Sequence, residues 1–458
     1  MHQEIREWLK GINAIETLQE YIRMRSRSNH EAEVLECAGF SRALLEEVGL
    51  VVELIPTSGN PIILGNKGGE ENGIELLIYG HYDVQPEGDL ELWQTEPFDP
   101  VIKESKLYGR GSADNKGQHF AHIKALQYLK ETYPETYRAL NVKFILDGDE
   151  ERGSFSLAEV FETRSEDLRS DLIIVSDGPA LVADAPTVVG SVRGILTFQI
   201  TIQHNPEDLH SGIFGGFGRS AALDMLNLLS AMIDHDGRAK IPGFYDRVDE
   251  ATPFEQEKLR QLDDVYQTIM SERGFAAAIT QRDQTVATQN QFWPTLNING
   301  IAGGGVKKER RTIIPAEITA SLDCRLVPSM DSEELKSKIQ AFISSWAAEN
   351  HCENAITITF EHAMEAVGSS FTNPYLGLLQ DALRYGFEAE PRLVPRLGGS
   401  LPLYLFPEYL GREVFLVPLA LPDENNHAPN ENLDLPYFEK GVIAMVKFFQ
   451  LVVNSAKK

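Results

Sequence analysis

Cysteine is scarce in this chain. Its 458 residues include three, Cys37, Cys324 and Cys352, with no close pair and no CxxC. That pattern argues against a disulfide framework and against a cysteine-rich zinc site. Long apolar runs are missing as well. None reaches the ~20 residues that a membrane-spanning helix needs, and the opening MHQEIREWLKG is charged, without a signal-like apolar core. Basic residues are outnumbered, 42 Lys plus Arg against 68 Asp plus Glu, for a formal charge of -26. Nucleic acid and anionic membranes recruit cationic side chains, so neither is expected as a partner. There is no internal repeat and no low-complexity segment. The glycines of GIAGGG (300–305) fit neither GxxxxGK[ST] nor GxGxxG after a strand, and read as flexible backbone over a substrate. His119 and His122 lack an HExxH context, which favours helix packing over ligation. A soluble cytoplasmic protein is the expectation. A single core usually stops growing at about 250 to 300 residues, so two domains are expected.

What is present is organised around LLIYGHYDVQP, Leu76 to Pro86. Leu76 to Tyr79 have the character of a buried strand, and Gly80 frees the backbone at its end. On a strand, His81 and Asp83 point the same way. A carboxylate behind a histidine fixes its tautomer and raises its basicity. A turn with a hydrogen-bonded histidine is the plainer reading of that pair alone.

Along the chain, helices are expected at 3–24, with Gly11 a weak point, and at 31–47. Short strands follow at 51–54, 61–64 and 76–79, then an irregular segment at 90–100. LYGRGSADNKG (107–117) reads as strand, loop and helix. Val142 to Leu146 is a buried strand that ends in DGDEERGS, and Leu172 to Val175 another that ends in SDG. Apolar strands followed by acidic residues describe one rim of an α/β sheet, where ligands bind. The character changes near Ser191. Ile195 to Ile202 alternates, helices are expected at 219–233, 255–269 and 332–346, and strands at 318–322 and 355–360. One wet face per strand suggests an inserted α+β domain. After about Ser369 the α/β character returns, with helices at 374–385 and 436–452 and short strands near 393 and 414–417. The division is 1–190 and 369–458 for the catalytic domain, and 191–368 for an inserted lid or dimerisation domain.

His81, Asp114, Glu150 with Glu151, Asp177 and His427 all fall at strand ends or in glycine-rich loops. Singly, each also reads as solvated loop charge. Together, imidazole and carboxylate without cysteine suit Zn²⁺ or a similar first-row ion. Like charges so close need a cation to offset them.

GHYDVQP, LYGRGSADNKG, DGDEERGS, SDG, DLHSGIFGG (208–216) and the late His427 resemble, in order, the motifs of the M20-type metallopeptidases. These are dinuclear zinc aminoacylases, carboxypeptidases and dipeptidases, and the carnosinase-like group is the most similar. The resemblance covers nearly the whole chain. It implies a mixed sheet sandwiched by helices, zinc-aminopeptidase-like, with the smaller domain inserted. It implies one metal on His81, Asp114 and Asp177, and a second on Asp114, Glu151 and His427, with Asp114 bridging. Asp83 would sit behind His81, Glu150 would be the general base, and the bond after Asp114 would be cis. The ions would be Zn²⁺, with Mn²⁺ or Co²⁺ as alternatives.

By the same resemblance, a water between the metals attacks the scissile carbonyl, and Glu150 moves its proton to the leaving amine. His210 would stabilise the oxyanion from the partner subunit of a homodimer, and Arg325 would clamp a substrate carboxylate. Gly399 and Ser400 of PRLGGSLP (395–402) and Asn299 would line the pocket. Arg396 belongs to the same loop, but Leu397 stands where the family usually has glutamate. Asp149 stands where carnosinase-like members usually carry an apolar residue. The expected reaction is hydrolysis of a dipeptide or short peptide with a free C-terminal carboxylate. The alternatives are removal of an N-acyl group from an amino acid, or an inactive metal-binding scaffold.

Overall fold

Apolar side chains on both faces turn the stretches around residues 76, 142 and 172 into adjacent parallel strands. Glu75–His81 pairs in parallel with Asn141–Asp147 on one side and with Leu172–Val175 on the other. In the computed structural model, which describes residues 1–275, 284–305, 311–368 and 371–456, they are central to an eight-stranded mixed sheet. Its order is Val51–Ile55, Ile62–Lys67, Asn141–Asp147, Glu75–His81, Leu172–Val175, Val414–Leu416, Thr187–Val189, Arg392–Val394. Asn141–Asp147 is buried at every position, as a parallel strand covered on both faces must be. Lys116–Thr132 and Leu435–Ala456 pack with this sheet in one continuous core.

The chain divides into two compact units. The larger holds Met1–Ser191, Ser369–Pro395 and Pro402–Lys458, and the smaller holds Val192–Gly368 with Arg396–Leu401. Ser369, where the sequence reading resumes the catalytic part, lies outside the described residues. Arg396–Leu401 departs from a division by chain order and packs with the smaller unit. That unit is a four-stranded antiparallel sheet in the order Thr295–Ala302, Glu317–Leu326, Gly194–Gln203, Ile356–Met364. The alternation expected at 195–202 is real: Leu196, Phe198, Ile200 and Ile202 are fully buried against Ala221–Met232 and Ser332–Glu349.

Three local expectations are corrected. The helix expected at 3–24 is two, His2–Gly11 and Ala14–Arg23, separated where Asn13 turns left-handed at φ 53°. Gly80 lies inside its strand rather than freeing its end. A Cβ there would come within 2.8 Å of His119 Cβ, so glycine lets helix Lys116–Thr132 approach the sheet. The first half of GIAGGG is an edge strand, with Gly300, Ile301 and Ala302 opposite Ser321, Ala320 and Thr319. The strand expected at the start of LYGRGSADNKG is Lys106–Tyr108, and it sits in a small antiparallel sheet between Asn432–Asp434 and Val101–Lys103, two strands that had no reading in the sequence. No helix among the described residues is long and apolar enough to cross a membrane.

Helix Leu376–Phe387 meets Leu435–Ala456 at Gly386, where a Cβ would lie 2.5 Å from Ala444 Cβ and 2.6 Å from its backbone nitrogen. Alanine is usually the better helix former by about 1 kcal/mol. Here overpacking of about 1–3 kcal/mol opposes that gain. Gly386→Ala is therefore expected to lower the thermal unfolding midpoint, and a raised midpoint would contradict this packing.

Candidate metal centre

The parallel strands deliver their carboxyl ends to one place. His81 closes the strand Glu75–His81. Asp147 ends the next strand, and the chain turns at once into the single 3-10 turn Glu150–Arg152. Asp177 follows Leu172–Val175 after Ser176. Asp114 precedes helix Lys116–Thr132, in a loop that Gly111 allows by taking φ +86°. The Asp114–Asn115 peptide is cis, as the family resemblance implies.

The five expected ligands come together in two groups, His81 with Asp114 and Asp177, and Asp114 with Glu151 and His427. Ligand atoms within each group lie no more than 4.8 Å apart. Asp114 serves both. Its Oδ1 is 3.1 Å from His81 Nε2, and its Oδ2 is 3.0 Å from His427 Nε2. Asp177 Oδ2 stands 3.6 Å from His81 Nε2, and Glu151 Oε2 stands 3.2 Å from His427 Nε2. Ligand atoms bound at ~2.1 Å in a tetrahedron are ~3.4 Å apart, so these spacings fit two divalent ions with one bridging carboxylate. The same donors accept several first-row ions.

The charge balance supports the fit. Hydrogen bonds to Asp114 and then Glu151 push His427 up to about 11. Burial would lower His81, but Asp177, Asp114 and Asp83 outweigh it and hold the imidazole well above its ordinary value. The carboxylates thus draw positive charge into the site, and a cation supplies it directly. Burial, with Asp177, Glu151 and Asp114 nearby, holds Glu150 well above the usual carboxylate range against the opposing pull of His81. Its side chain is 11% exposed, with Oε2 3.9 Å from His81 Nε2. A carboxyl with raised proton affinity inside a cluster of this kind is a candidate general base.

The surrounding groups aim these ligands. Asp83 Oδ1 is 3.3 Å from His81 Nδ1, and its two oxygens also accept the backbone N–H groups of Glu150 (3.2 Å) and Glu151 (3.1 Å). It therefore positions a ligand, the base and a second ligand together. Burial raises Asp83 to about 6, while His81 opposes the shift. Gln85 holds Glu151 through its backbone N–H at 3.1 Å and its amide at 2.8 Å. Gln85 lies within GHYDVQP, yet its role shows only once Glu151 is seen opposite it. Asp149 does not enter the cluster. It is buried and accepts from Asn60 N and Nδ2, both at 2.7 Å, and from Ser156 Oγ at 3.0 Å.

The remaining candidates lie in the smaller unit. His210 is exposed, and its Nδ1 accepts from Gly212 N at 3.1 Å. That bond leaves the ring proton on Nε2 in the neutral imidazole. Arg325 Nη1 donates to Ser400 Oγ at 2.9 Å, and its Nε lies 3.5 Å from Asp323. Gly399 is exposed on the same loop. Asn299 is exposed at a bulge in the edge strand, where register shifts between Ile298 and Gly300. Arg396 turns inward. Its guanidinium lies 4.0 Å from the Phe292 ring centroid and donates to Gln291 O at 3.1 Å. His119 and His122 are buried and bonded to Tyr21, Asn115 and Ser176, outside both ligand groups.

The sequence pattern of Peptidase family M20/M25/M40 matches residues 77–451. The chain is 29% identical over 389 residues to the Cys-Gly metallodipeptidase dug1 of Schizosaccharomyces pombe, covering 83% of this chain and 80% of that protein. It is 27% identical over 395 residues to the human Beta-Ala-His dipeptidase, covering 85% and 77%. Among solved structures, the M20 family metallo-carboxypeptidase Sso-CP2 from Sulfolobus solfataricus superposes with a TM-score of 0.87 at 28% identity, over 96% of this chain and 99% of that one.

Metal loading must displace protons from both imidazoles, because both are raised above their ordinary range. Adding zinc to the metal-free chain near pH 7 should release protons into weak buffer, and apparent affinity should climb with pH. Indicator-dye titration reads both, and pH-independent affinity would refute this charge balance.

Proposed function

The chain belongs to peptidase family M20/M25/M40, and on that footing we propose that it hydrolyses the amide bond of dipeptides or short peptides bearing a free C-terminal carboxylate. The observation that carries the reading is the single carboxylate of Asp114 shared between His81 and His427. Relatives named as dipeptidases and as a carboxypeptidase support the substrate class.

His81, Asp114 and Asp177 would hold one ion and Asp114, Glu151 and His427 the other, and zinc is our choice of metal on the donor set. When bound, such ions supply Lewis acidity, which acidifies water and polarises a carbonyl. Glu150 acts as general base and then as general acid, since burial keeps its proton affinity high enough to take a proton and give it to the leaving amine. Asp83 keeps His81 oriented and holds the turn that carries Glu150. His210 presents Nε2–H, a donor suited to the developing oxyanion. Arg325 and Ser400, already joined by a hydrogen bond, with Gly399 beside them, receive the substrate carboxylate. Asn299 lines the pocket in this reading, whereas Arg396 braces the loop from inside.

A homodimer built through the smaller unit fits its exposed apolar surface. Ile213, Phe217, Leu223 and Leu226 are each more than half exposed, and Ile298 and Ile301 face solvent on the edge strand. Patches of this kind mark interaction surfaces. His210 then comes from the partner subunit. A cytoplasmic setting accords with three free cysteines.

A second reading, removal of an N-acyl group from an amino acid, uses the same metals and the same carboxylate contacts and differs in the pocket for the other side of the scissile bond. A panel of dipeptides, tripeptides and N-acyl amino acids, each with several metals, separates the two.

Glu150→Gln should lower kcat by ~10²–10⁴ while two ions per chain remain bound. Unchanged turnover would remove Glu150 from the role of base, and fewer than two ions in the wild-type chain would remove the dinuclear site. His210→Ala chains mixed with Glu150→Ala chains should regain part of the lost activity if His210 acts across subunits. Mixed dimers that stay inactive would count against it.

A further inference from the structure

Glu431 is fully buried four residues beyond His427, on a segment that the small antiparallel sheet holds against the Asp114 loop. Asn432 pairs with Tyr108, and Glu431 O accepts from Gly109 N at 2.9 Å. Its carboxylate then meets four donors. Oε2 accepts from Arg110 Nη1 (2.8 Å) and Gly111 N (3.0 Å), and Oε1 accepts from Ala113 N and Asp114 N (both 2.9 Å). Arg110 is 1% exposed, so the charge pair is wholly internal. Glu431 belongs to neither ligand group.

The N–H groups of Gly111, Ala113 and Asp114, aimed at one carboxylate, fix the backbone of 111–114. Asp114 donates its N–H to Glu431 while its two side-chain oxygens face His81 and His427. A loop lacking this brace leaves the Asp114 carboxylate free to rotate away from one histidine or the other. Such buried carboxylates orient ligands without touching the ion.

We propose that Glu431 is a positioning residue that sets the bridging carboxylate, so that loss of Glu431 weakens both metal subsites together rather than the one supplied by its own loop. The proposal rests on the reading of this cluster as a dinuclear metal site. A carboxamide at position 431 offers one oxygen where four donors need two, and presents its own N–H₂ to the rest. Glu431→Gln is therefore expected to lose ~10–100-fold in zinc affinity at both subsites. Competition with a chromophoric chelator on folded metal-free protein measures this, with the metal-free unfolding midpoint recorded alongside. Glu431→Asp keeps the charge on a shorter arm and should fall between the two.

Wild-type protein that fails to bind two ions would refute the dinuclear reading itself and leave no bridge to position. Two ions in the wild type with undiminished affinity in a folded Glu431→Gln chain would overturn the proposal, even if the unfolding midpoint drops. A loss confined to the His427 subsite would overturn the coupling. Should Glu431→Gln not fold, amide exchange in wild-type protein decides. The N–H groups of Gly111, Ala113 and Asp114 should be protected before any metal is added. Protection that appears only with zinc would mean that the ion, not Glu431, organises the loop.

Discussion

Repulsion among carboxylates gathered at the carboxyl edge of a parallel sheet is the constraint that shapes the larger unit. Two like charges ~4 Å apart repel by about 4 kcal/mol at an effective dielectric of ~20. Asp114, Asp177, Glu150 and Glu151 meet here within a few ångströms of His81 and His427. The structure deals with nearby acids in two ways. Those that face the cluster share imidazole nitrogens. Those that do not are turned aside and given N–H or O–H donors: Asp83 by the turn of Glu150 and Glu151 and by the far nitrogen of His81, Asp149 by Asn60 and Ser156, and Glu431 by the Asp114 loop. The result is two donor groups whose charge and spacing suit two cations.

Much of this was legible in the sequence because strand ends carry a local signal. A run of apolar residues followed by His-x-Asp, Asp-Glu-Glu or Ser-Asp-Gly announces both a buried strand and the chemistry at its tip, and the ligands stand where those runs end. Asp114 and His427 were visible through motif rather than period, since both sit in loops. What stayed hidden depends on partners far away in the chain. Gln85 gains its meaning from Glu151, and Glu431 from the amides of 111–114. No window along the sequence contains both halves of either contact. Two strands of the three-stranded sheet, Val101–Lys103 and Asn432–Asp434, were missed because three residues are too short to show a period.

Asp149, one of the departures from the family pattern, and Arg396, beside the other, both turn inward. Asp149, adjacent to the assigned base, looks from sequence like an added negative charge in the site. Its buried contacts to the 57–60 loop make it a pin for the turn that carries Glu150. Gly59 completes that arrangement, since a Cβ there would collide with Asp149 Oδ2 at 2.0 Å. Arg396 stacks on Phe292, and on the same loop Ser400 accepts from Arg325. Arg325 keeps a partly exposed guanidinium hydrogen-bonded to Ser400, whereas Arg396 is buried.

The strand Asn432–Asp434 closes a sheet with Lys106–Tyr108 across more than three hundred residues of chain. On the ribosome, the first-made part of the protein emerges with His81, Asp114, Glu151 and Asp177 already in place in sequence, but without His427 or its supporting strand. A nascent chain of that length has an unclosed rim of acids and no way to complete it. Acquisition of a full complement of ions, and with it peptide-cleaving ability, therefore waits until His427 and the strand Asn432–Asp434 have been made.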